Sequence, residues 1–451
     1  MSEFPPEFLW GVASSAYQIE GAAREDGRGE SIWDRFARRP GAIERGENGD
    51  VACDHYHRWR TDLDLVKGLG ARSYRFSIAW PRVFPDGKGA ANPRGVDFYK
   101  RLVAGLRERG IEPMATLYHW DLPQKLQDKG GWLARDTAQR FAEYATAMYR
   151  ALGDEVRFWA THNEPWCAAF LGHWHGVHAP GMKDFRSALV VAHHLLYSHG
   201  LAVRAHRTAG VRGEIGIVLN LAPNEPEHDT EADRAAARAS DGYANRWFLD
   251  PVFRARYPDD IVTQYERVTG PLDFVKDGDL ATIAAKTDYL GVNYYNARIV
   301  RAAPERPLGW AVVEKGPGME VAGMGWEVMP DGLTRLLTRV RDDYRSLRMY
   351  VTENGSGYEE RPAADGKIHD ARRIEYLRAH LSAALGAIRQ GVDLRGYYCW
   401  SLLDNFEWAF GYRIRFGIVY VDYATQRRIP KDSYTFYSQV IARNALEEVY
   451  A

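Results

Sequence analysis

Several features that would place a chain in a special class are scarce in this sequence of 451 residues. Its three cysteines, Cys53, Cys167 and Cys399, form neither an even set nor a C-x-x-C pair. A disulfide framework is therefore not expected, and a reducing, cytoplasmic location is. The 59 Lys and Arg residues are matched by 60 Asp and Glu residues, with no basic stripe or tail. Nucleic acid is therefore not expected as a partner.

Long hydrophobic runs and linkers are also lacking. No uninterrupted apolar stretch approaches the roughly 20 residues of a membrane helix, so no membrane association is expected. The first residues, 1–6, show neither the basic start nor the apolar run of a signal peptide. No segment is rich enough in Pro, Gly or Ser to indicate an interdomain linker. A single domain over residues 1–451 is predicted, although length alone would suggest about three.

What the sequence does have is a regular alternation of short apolar runs and longer stretches with a helical period. The predicted strands are residues 8–14, 73–79, 114–118, 157–162, 215–219, 289–294, 349–352 and 396–400. The predicted helices cover residues 56–69, 94–109, 133–151, 184–208, 230–248, 331–345, 370–390 and 430–446. Apolar strands separated by amphipathic helices are typical of parallel strands that are buried on both faces. Eight such units predict an α/β fold, a (β/α)8 TIM barrel with extended loops.

Two further observations bear on this architecture. A doubly wound open sheet would need a Gly-rich phosphate turn after the first strand, and the segment from Gly11 to Ala16 lacks the G-x-G-x-x-G spacing. Residues 297–328 show no clear element and are rich in Gly, Pro and charge. They are predicted to form an insertion after the sixth strand, and loops of that length are usually functional.

A barrel places its chemistry at the carboxyl ends of its strands. Those ends carry amide, imidazole, carboxylate and indole groups: Gln18, Arg75, His119, Trp120, Asn163, Glu164, Asn220, Asn293, Tyr295, Glu353, Trp400, Glu407 and Trp408. The chain is also rich in aromatic residues, with 14 Trp and 26 Tyr. Such rings fill cores, but they also suit flat, amphipathic ligands such as sugars.

Two glutamates stand out among these strand ends. Glu164 closes an apolar strand and precedes a proline, and Glu353 precedes the turn signal Asn-Gly. Either one alone could be a rim salt bridge. Together they suit glycosidic cleavage, in which one carboxyl is protonated and the other ionised. Arg75 and Tyr295 are expected to contact the ionised one, and apolar surroundings are expected to raise the pKa of the other.

With these residues the sequence closely resembles the glycoside hydrolase family 1 β-glycosidases, and bacterial β-glucosidases in particular. The resemblance covers essentially the whole chain. Its motifs are Asn163-Glu164-Pro165, Thr352-Glu353-Asn354-Gly355, Arg75-Phe76-Ser77-Ile78-Ala79-Trp80, and Glu407-Trp408 before Arg415-Phe416-Gly417.

The resemblance implies that Glu164 is the acid/base and Glu353 the nucleophile of a retaining exo-β-glucosidase that uses no metal or cofactor. It implies that the sugar is bound by Gln18, His119, Trp120, Asn163, Glu407 and Trp408, with Trp400 as a stacking platform and Phe416 as a wall. Asn293 and Tyr295 would orient the carboxylates, Asn220 would lie near them, and Trp326 would hold the aglycone. The substrate would be a β-glucoside or short oligosaccharide, with β-galactosidase, β-fucosidase or transglycosylation as side activities, and a homo-oligomer is possible.

The sequence departs from the family pattern at two positions, and the effect of these departures on the site is open. His162, where an apolar residue is common, should point away from the Asn163 side and serve the structure. Phe410 replaces a smaller or polar residue beside the sugar-binding loop and leaves the shape of the pocket entrance open.

Asp121 and Asp404 also lie near the barrel mouth, and they are expected to orient loops through backbone amides. The histidines between His173 and His178 are expected to pack near the entrance rather than bind metal.

Alternative functions remain open at this point. A 6-phospho-β-glycosidase would need cations near the sugar 6-position, where Glu407 is expected to present an anionic carboxylate. A non-catalytic sugar-binding relative would have no use for both glutamates and the Arg and Tyr that support them. Trp326, Trp166 and Leu171 are expected to shape an acceptor site for transglycosylation.

Overall fold

The computed structural model describes residues 3–313, 321–344 and 347–447. The described strands, β1 to β13, are Leu9–Ala13, Ser73–Ser77, Glu112–Tyr118, Phe158–Asn163, Glu214–Asn220, Asn224–Pro226, Tyr289–Asn293, Arg298–Ala302, Trp310–Val312, Met349–Asn354, Leu394–Trp400, Val419–Asp422 and Arg427–Pro430. The described α-helices, α1 to α15, are Ala16–Ile19, Ile32–Phe36, His55–Leu69, Trp80–Val83, Pro93–Glu108, Gln124–Gln127, Asp136–Leu152, Phe185–Ala209, Glu231–Asp241, Trp247–Arg254, Asp259–Thr269, Asp279–Ile283, Pro330–Tyr344, Ala371–Arg389 and Asp432–Arg443.

Eight strands close into a parallel barrel, in the order β1, β2, β3, β4, β5, β7, β10 and β11. The last strand pairs with the first, with Leu9 opposite Gly396 and Ala13 opposite Trp400. The predicted (β/α)8 barrel is thereby confirmed. Closure removes the unpaired sheet edges, and the carboxyl ends of all eight strands open at one rim.

The helices cover the barrel because each buries one apolar stripe. Helix α5 shows how the sequence specifies this. Asn92 caps its first turn by accepting from the Arg94 amide, and Pro93 occupies the first helical position. Phe98, Leu102 and Leu106 then recur every four residues and are all buried against the barrel. Burial of one such side chain contributes roughly 1.5–3 kcal/mol.

The predicted barrel strands differ from the observed ones by at most two residues at either end, as for 73–79 against Ser73–Ser77. One predicted helix, 230–248, is interrupted. Helix α9 ends at Asp241, a π-helical turn covers Gly242–Arg246, and α10 continues from Trp247. The insertion 297–328 is not without elements, as the sequence suggested. Its strands β8 and β9 join β6 in a small separate sheet. Three to five residues are too few to show a period.

In the described part of the chain, no helix is both long enough and apolar enough to cross a lipid bilayer.

Candidate active site

The strand ends bring the predicted reactive residues to one rim of the barrel. Glu353 on β10 lies opposite Asn293 on β7, and Asn293 lies opposite Asn220 on β5. The pairing registers shift near the rim, between Ala160 and Asn163 and again before Glu353. Such irregularities re-aim side chains and are common beside active sites.

The Glu353 carboxylate has a cation on one oxygen and a phenol on the other. Arg75 donates from Nη1 to Oε1 across 2.6 Å, and both side chains are almost fully buried. Tyr295 donates its hydroxyl to Oε2, also across 2.6 Å. Burial raises the pKa of Tyr295 well above its usual range, so the phenol keeps its proton. Both predicted contacts are confirmed, and together they place a positive charge and a hydrogen-bond donor on the two oxygens.

Glu164 has a different environment, without a cation in contact. Its backbone φ is +45°, which is rare for a residue with a side chain and marks local strain. Asn293 donates from Nδ2 to Oε1 across 2.7 Å, and the thiol of Cys167 donates to Oε2 across 3.0 Å. Burial, followed by the charge of Glu353, raises the pKa of Glu164 above its ordinary value. The predicted upward shift is confirmed, and it keeps Glu164 ready to donate a proton.

Asn163 links the surroundings of the two glutamates. Its Oδ1 accepts from Nη2 of Arg75 at 2.6 Å and from Nδ2 of Asn293 at 3.0 Å. Its Nδ2 lies 3.1 Å from Nε2 of His119. Burial and the nearby Arg75 charge hold the pKa of His119 well below its usual range, so this imidazole is neutral and accepts from the amide. The two carboxyl groups therefore share one ordered network of hydrogen bonds.

Aromatic rings enclose the space above these carboxyls. A cavity of about 270 Å³ is lined by most of the predicted site residues, namely His119, Trp120, Glu164, Asn220, Asn293, Tyr295, Trp326, Glu353, Trp400, Glu407, Trp408 and Phe416. Trp120 and Trp408 pack at a centroid distance of 4.6 Å, and both have positive φ. The cavity is at the small end of the range for ligand pockets, about 300–1,000 Å³. Its size and walls fit one ring-shaped ligand.

Three predicted residues lie behind this lining. Arg75 and Asn163 belong to the network described above. Gln18 is buried, donates from Nε2 to Oδ1 of Asn405 and to the Phe406 carbonyl, and accepts from the Ser15 hydroxyl. Its amide thereby fixes the loop that carries Glu407.

Glu407 differs from what the sequence suggested. Its buried Oε2 has no hydrogen-bond partner among the described residues. Burial, with added repulsion from Glu353 and Glu164, raises the pKa of Glu407 to about 8. The carboxyl is therefore largely protonated at neutral pH, not the anion expected from the sequence. It can donate as well as accept a hydrogen bond.

The structure shows where the two residues that depart from the family pattern, His162 and Phe410, lie. His162 does point away from the site. Its Nε2 lies 2.8 Å from the hydroxyl of Ser198 on α8, and its ring stacks on Phe141 at 4.5 Å. Phe410 lines the cavity at its rim, and the guanidinium of Arg413 lies 5.7 Å from its ring.

The two aspartates near the barrel mouth, Asp404 and Asp121, differ in their contacts. Asp404 accepts from the Gly417 amide and from the cations Lys431 and Arg415, so it orders the loop as expected. Neither carboxyl oxygen of Asp121 bonds to another described residue, and its own backbone amide interacts with the carboxyl. Burial raises the pKa of Asp121 to about 8, and the side chain is therefore neutral at physiological pH.

The histidines after Glu164 are engaged separately. His173 contacts the carbonyl of Ala168 through Nδ1, His175 contacts the Tyr243 hydroxyl through Nε2, and His178 packs against Trp33 and Trp120. In the described residues, the one grouping of metal-ligand type is Glu227, His228 and Asp233, which lies elsewhere.

Sequence reasoning missed two residues of this cavity. In the sequence Cys167 is only one of three cysteines without a pairing pattern, yet its thiol contacts Glu164. Its position three residues after a strand-end carboxylate, at the start of a helical turn, was the available signal. Arg298 lies at the cavity wall and in the first residues of β8, inside the insertion that had seemed to lack elements. Nothing in the local sequence distinguished it from other arginines.

A (β/α)8 barrel whose mouth joins two buried glutamates with unlike hydrogen-bond partners to an aromatic pocket defines a glycosidase of the paired-carboxylate class. The model of glycosyl hydrolase family 1 matches residues 1–446. The chain belongs to this family.

Individual relatives agree along the whole length. The chain is 48% identical over 445 residues to beta-glucosidase A of Acetivibrio thermocellus, with 98% of each chain covered. It is 45% identical over 462 residues to a bifunctional beta-D-glucosidase/beta-D-fucosidase of Bifidobacterium breve, covering 97% of this chain and 98% of that one. The solved family 1 β-glucosidase of Thermotoga maritima superposes with a TM-score of 0.95 at 45% identity, over 99% of each chain.

Proposed function

We propose that this protein is a retaining exo-β-glucosidase that hydrolyses terminal non-reducing β-D-glucosyl residues of short oligosaccharides and of aryl and alkyl β-glucosides. The observation that carries the proposal is the unlike bonding of the two glutamates. Arg75 and Tyr295 hold both oxygens of Glu353, whereas only an amide and a thiol contact Glu164. An ionised nucleophile beside a protonated acid is what a double displacement requires.

In the first step, a Glu353 oxygen attacks the anomeric carbon as the bond to the aglycone oxygen breaks. Glu164 transfers its proton to that oxygen, so the aglycone leaves as an alcohol and a glycosyl ester forms on Glu353. The charge of Glu353 is then neutralised, which removes the repulsion that raised the pKa of Glu164. Glu164 thus becomes a better base. In the second step it removes a proton from water, whose oxygen displaces Glu353 and restores both side chains.

The roles of the remaining residues are also part of the proposal. Trp400 would stack beneath the sugar ring, and Phe416 would form a wall. Gln18, His119, Trp120, Asn163, Glu407 and Trp408 would hold the hydroxyl groups. Asn293 and Tyr295 would orient the carboxylates, with Asn220 beside Asn293, and Trp326 would contact the aglycone.

Exo action is supported by the dimensions of the cavity. Trp120 and Trp408, which pack together, line this 270 Å³ cavity but not the larger one, so the chain of an oligosaccharide would continue on the other side. That side joins a larger cavity of about 1,160 Å³. A terminal sugar in the first cavity and an aglycone or acceptor in the second would account for both hydrolysis and transglycosylation. Trp166 borders both cavities, and Leu171 borders the first.

A 6-phospho-β-glycosidase is less well supported. Among the described residues that line the smaller cavity, Arg298 is the one cation, and it lies on the side shared with the larger cavity. Among the described residues no cation lies beside Glu407, and a phosphate there would meet the charge of the nucleophile Glu353. A 6-phosphoglucoside is therefore expected to be a poor substrate. β-Fucosidase activity is supported by the bifunctional relative of Bifidobacterium breve.

Two substitutions with azide rescue test the assigned roles. Glu353→Gly should abolish turnover of 4-nitrophenyl β-D-glucoside, and azide should restore activity with the α-glucosyl azide as product. Glu164→Ala should slow substrates with poor leaving groups far more than activated ones, and azide should give the β-glucosyl azide. The reverse pairing of azide anomers would contradict the roles, and full activity in either variant would contradict the function.

Asp121→Asn supplies a matched control. Asp121 is also a buried acid near the barrel mouth. Because its raised pKa keeps the carboxyl protonated, the amide of Asn matches it closely in shape and charge. This variant should keep kcat/KM within about threefold, a change of less than about 1 kcal/mol in the barrier.

A further inference from the structure

Arg298 is the cation that borders both cavities. It lies at the start of β8 and lines the smaller cavity together with Trp166 and Glu164. It also lines the larger cavity together with Trp166, Tyr243 and Trp326. A group that leaves the sugar on the Glu164 side must therefore pass this guanidinium. The position is that of an aglycone, not of the sugar.

The guanidinium has aromatic neighbours but no matching anion among the residues that the structure describes. It lies 5.2 Å from the ring of Trp166 and 6.0 Å from the ring of Tyr243. No described carboxylate forms a salt bridge with Arg298, although most buried arginines of this protein have one, as Arg82 does with Glu20 and Arg373 with Asp370. Tyr243, Cys167 and His175 are ionisable groups that respond to its charge.

A partly buried guanidinium without a counter-ion favours an anionic ligand. Burial lowers the pKa of Arg298 from its ordinary value, although an arginine stays charged at any physiological pH. Its planar fork of donors matches the two oxygens of a carboxylate. Trp166, Tyr243 and Trp310 line the same larger cavity and offer faces against which a planar ring can pack.

We propose that Arg298, with Trp166 and Tyr243, forms an aglycone subsite for aromatic aglycones that carry a carboxylate, such as glucosides of phenolic acids. The inference rests on the proposed β-glucosidase function and names the substrate class for the same site. The carboxylate binds the guanidinium, and the aglycone ring packs along the indole of Trp166. The sugar end of the substrate stays in the smaller cavity, where the ionised nucleophile Glu353 would repel an acid.

The test compares two glucosides of nearly equal shape, 4-carboxyphenyl and 4-carbamoylphenyl β-D-glucoside. The quantity of interest is the ratio of their kcat/KM values, acid over amide. Arg298→Gln should lower this ratio about tenfold relative to wild type, the size expected when one charge-assisted hydrogen bond is lost. A purely structural role for Arg298 would slow both substrates alike and leave the ratio unchanged.

Arg301→Gln is the matched control. Arg301 lies three residues later on the same strand, is exposed, and lines neither cavity. The substitution makes the same change in net charge, and it should leave the ratio within twofold of wild type. An equal effect of the two variants, or no effect of Arg298→Gln, would overturn the subsite while leaving the β-glucosidase function intact. A wild-type protein that cleaves neither glucoside would contradict the proposed function and the subsite with it.

Discussion

The thiol of Cys167 donates a hydrogen bond to Oε2 of Glu164 across 3.0 Å. Cys167 begins the π-helical segment that follows the strained backbone of Glu164, so the two side chains are held by one short stretch of chain. π-Helical turns often occur at functional sites. The thiol thereby stabilises the ionised form of a carboxyl whose pKa is otherwise raised, chiefly by burial.

This contact predicts opposite effects of two substitutions at Cys167. Cys167→Ala removes the donor, so the pKa of Glu164 should rise and the alkaline limb of the kcat/KM profile should move to higher pH. Cys167→Ser supplies a stronger donor, and the limb should move to lower pH. Each shift should be roughly one unit or less, since one unit corresponds to about 1.4 kcal/mol. Shifts in the same direction would contradict this role for the thiol.

The buried ion pair of Arg75 and Glu353 should contribute far more to stability and to activity than a surface ion pair of the same type. Arg75→Met leaves Glu353 buried without its cation, which should cost about 3–5 kcal/mol in the free energy of unfolding. It should also lower kcat/KM by two orders of magnitude or more, about 2.7 kcal/mol of barrier. Urea unfolding and hydrolysis of 4-nitrophenyl β-D-glucoside measure the two losses.

The control for this experiment lies beside β10, before its first residue. Arg348 pairs with Glu214 at 2.6 Å, but both side chains are partly exposed. Arg348→Met should cost at most about 1 kcal/mol and leave kcat/KM unchanged. Comparable losses in the two variants would show that the site pair has no special role.

Tyr295→Phe removes the phenol that donates to Oε2 of Glu353. A hydrogen bond to a charged group contributes roughly 1.5–3 kcal/mol, so kcat/KM should fall about 10- to 100-fold. The adjacent Tyr294 gives a matched control, because its hydroxyl donates to the carbonyl of Met329 outside the site. Tyr294→Phe should affect thermal stability slightly and kcat/KM hardly at all. The assignment fails if the two variants have equal activity.

The raised pKa of Glu407 predicts how stability depends on pH. Ionisation of this carboxyl is harder in the folded protein, with a pKa of about 8, than in the unfolded chain, where carboxyls ionise near 4.5. The stability that the protonated Glu407 carboxyl contributes to the folded protein is therefore fully present below about pH 4.5. It is lost as the pH rises towards 8, and it changes little above that. Glu407→Gln cannot ionise, and it should raise the Tm relative to wild type by at least about 2 °C at pH 9 but little at pH 5.

Glu375→Gln is the control for this comparison, since Glu375 is largely exposed on α14. It should change the Tm by less than about 1 °C at both pH values. An increase in the Tm of Glu407→Gln that is equal at pH 5 and pH 9 would indicate that ionisation of Glu407 plays no part.

Much of the fold was predictable from the sequence because the barrel strands are buried on both faces and the helices on one. Those patterns locate β10 and α5 within two residues. The small sheet of β6, β8 and β9 was not predictable. Its strands are short, and their pairing depends on contacts between distant segments such as Asn224 and Arg298.

The site, like the fold, has features that were predictable from the sequence and features that were not. Positions were predictable, since strand ends must meet at one rim, and so were the contacts of Arg75 and Tyr295 with Glu353. The upward pKa shift of Glu164 was predictable as well, but the protonation of Glu407 and Asp121 was not. The raised pKa values of Glu407 and Asp121 arise from burial with no partner among the described residues, which only the folded arrangement determines. The charge of Arg298, which pairs with no described carboxylate, could not be predicted from the sequence for the same reason.

The central claim is that Glu353 and Glu164 perform a double displacement, and the anomeric course of hydrolysis tests it most directly. Proton NMR of wild-type protein acting on an aryl β-D-glucoside should show β-glucose first, with α-glucose appearing later through mutarotation. That order requires two successive inversions at the anomeric carbon. Early appearance of α-glucose would mean single displacement by water and would contradict the roles assigned to both glutamates.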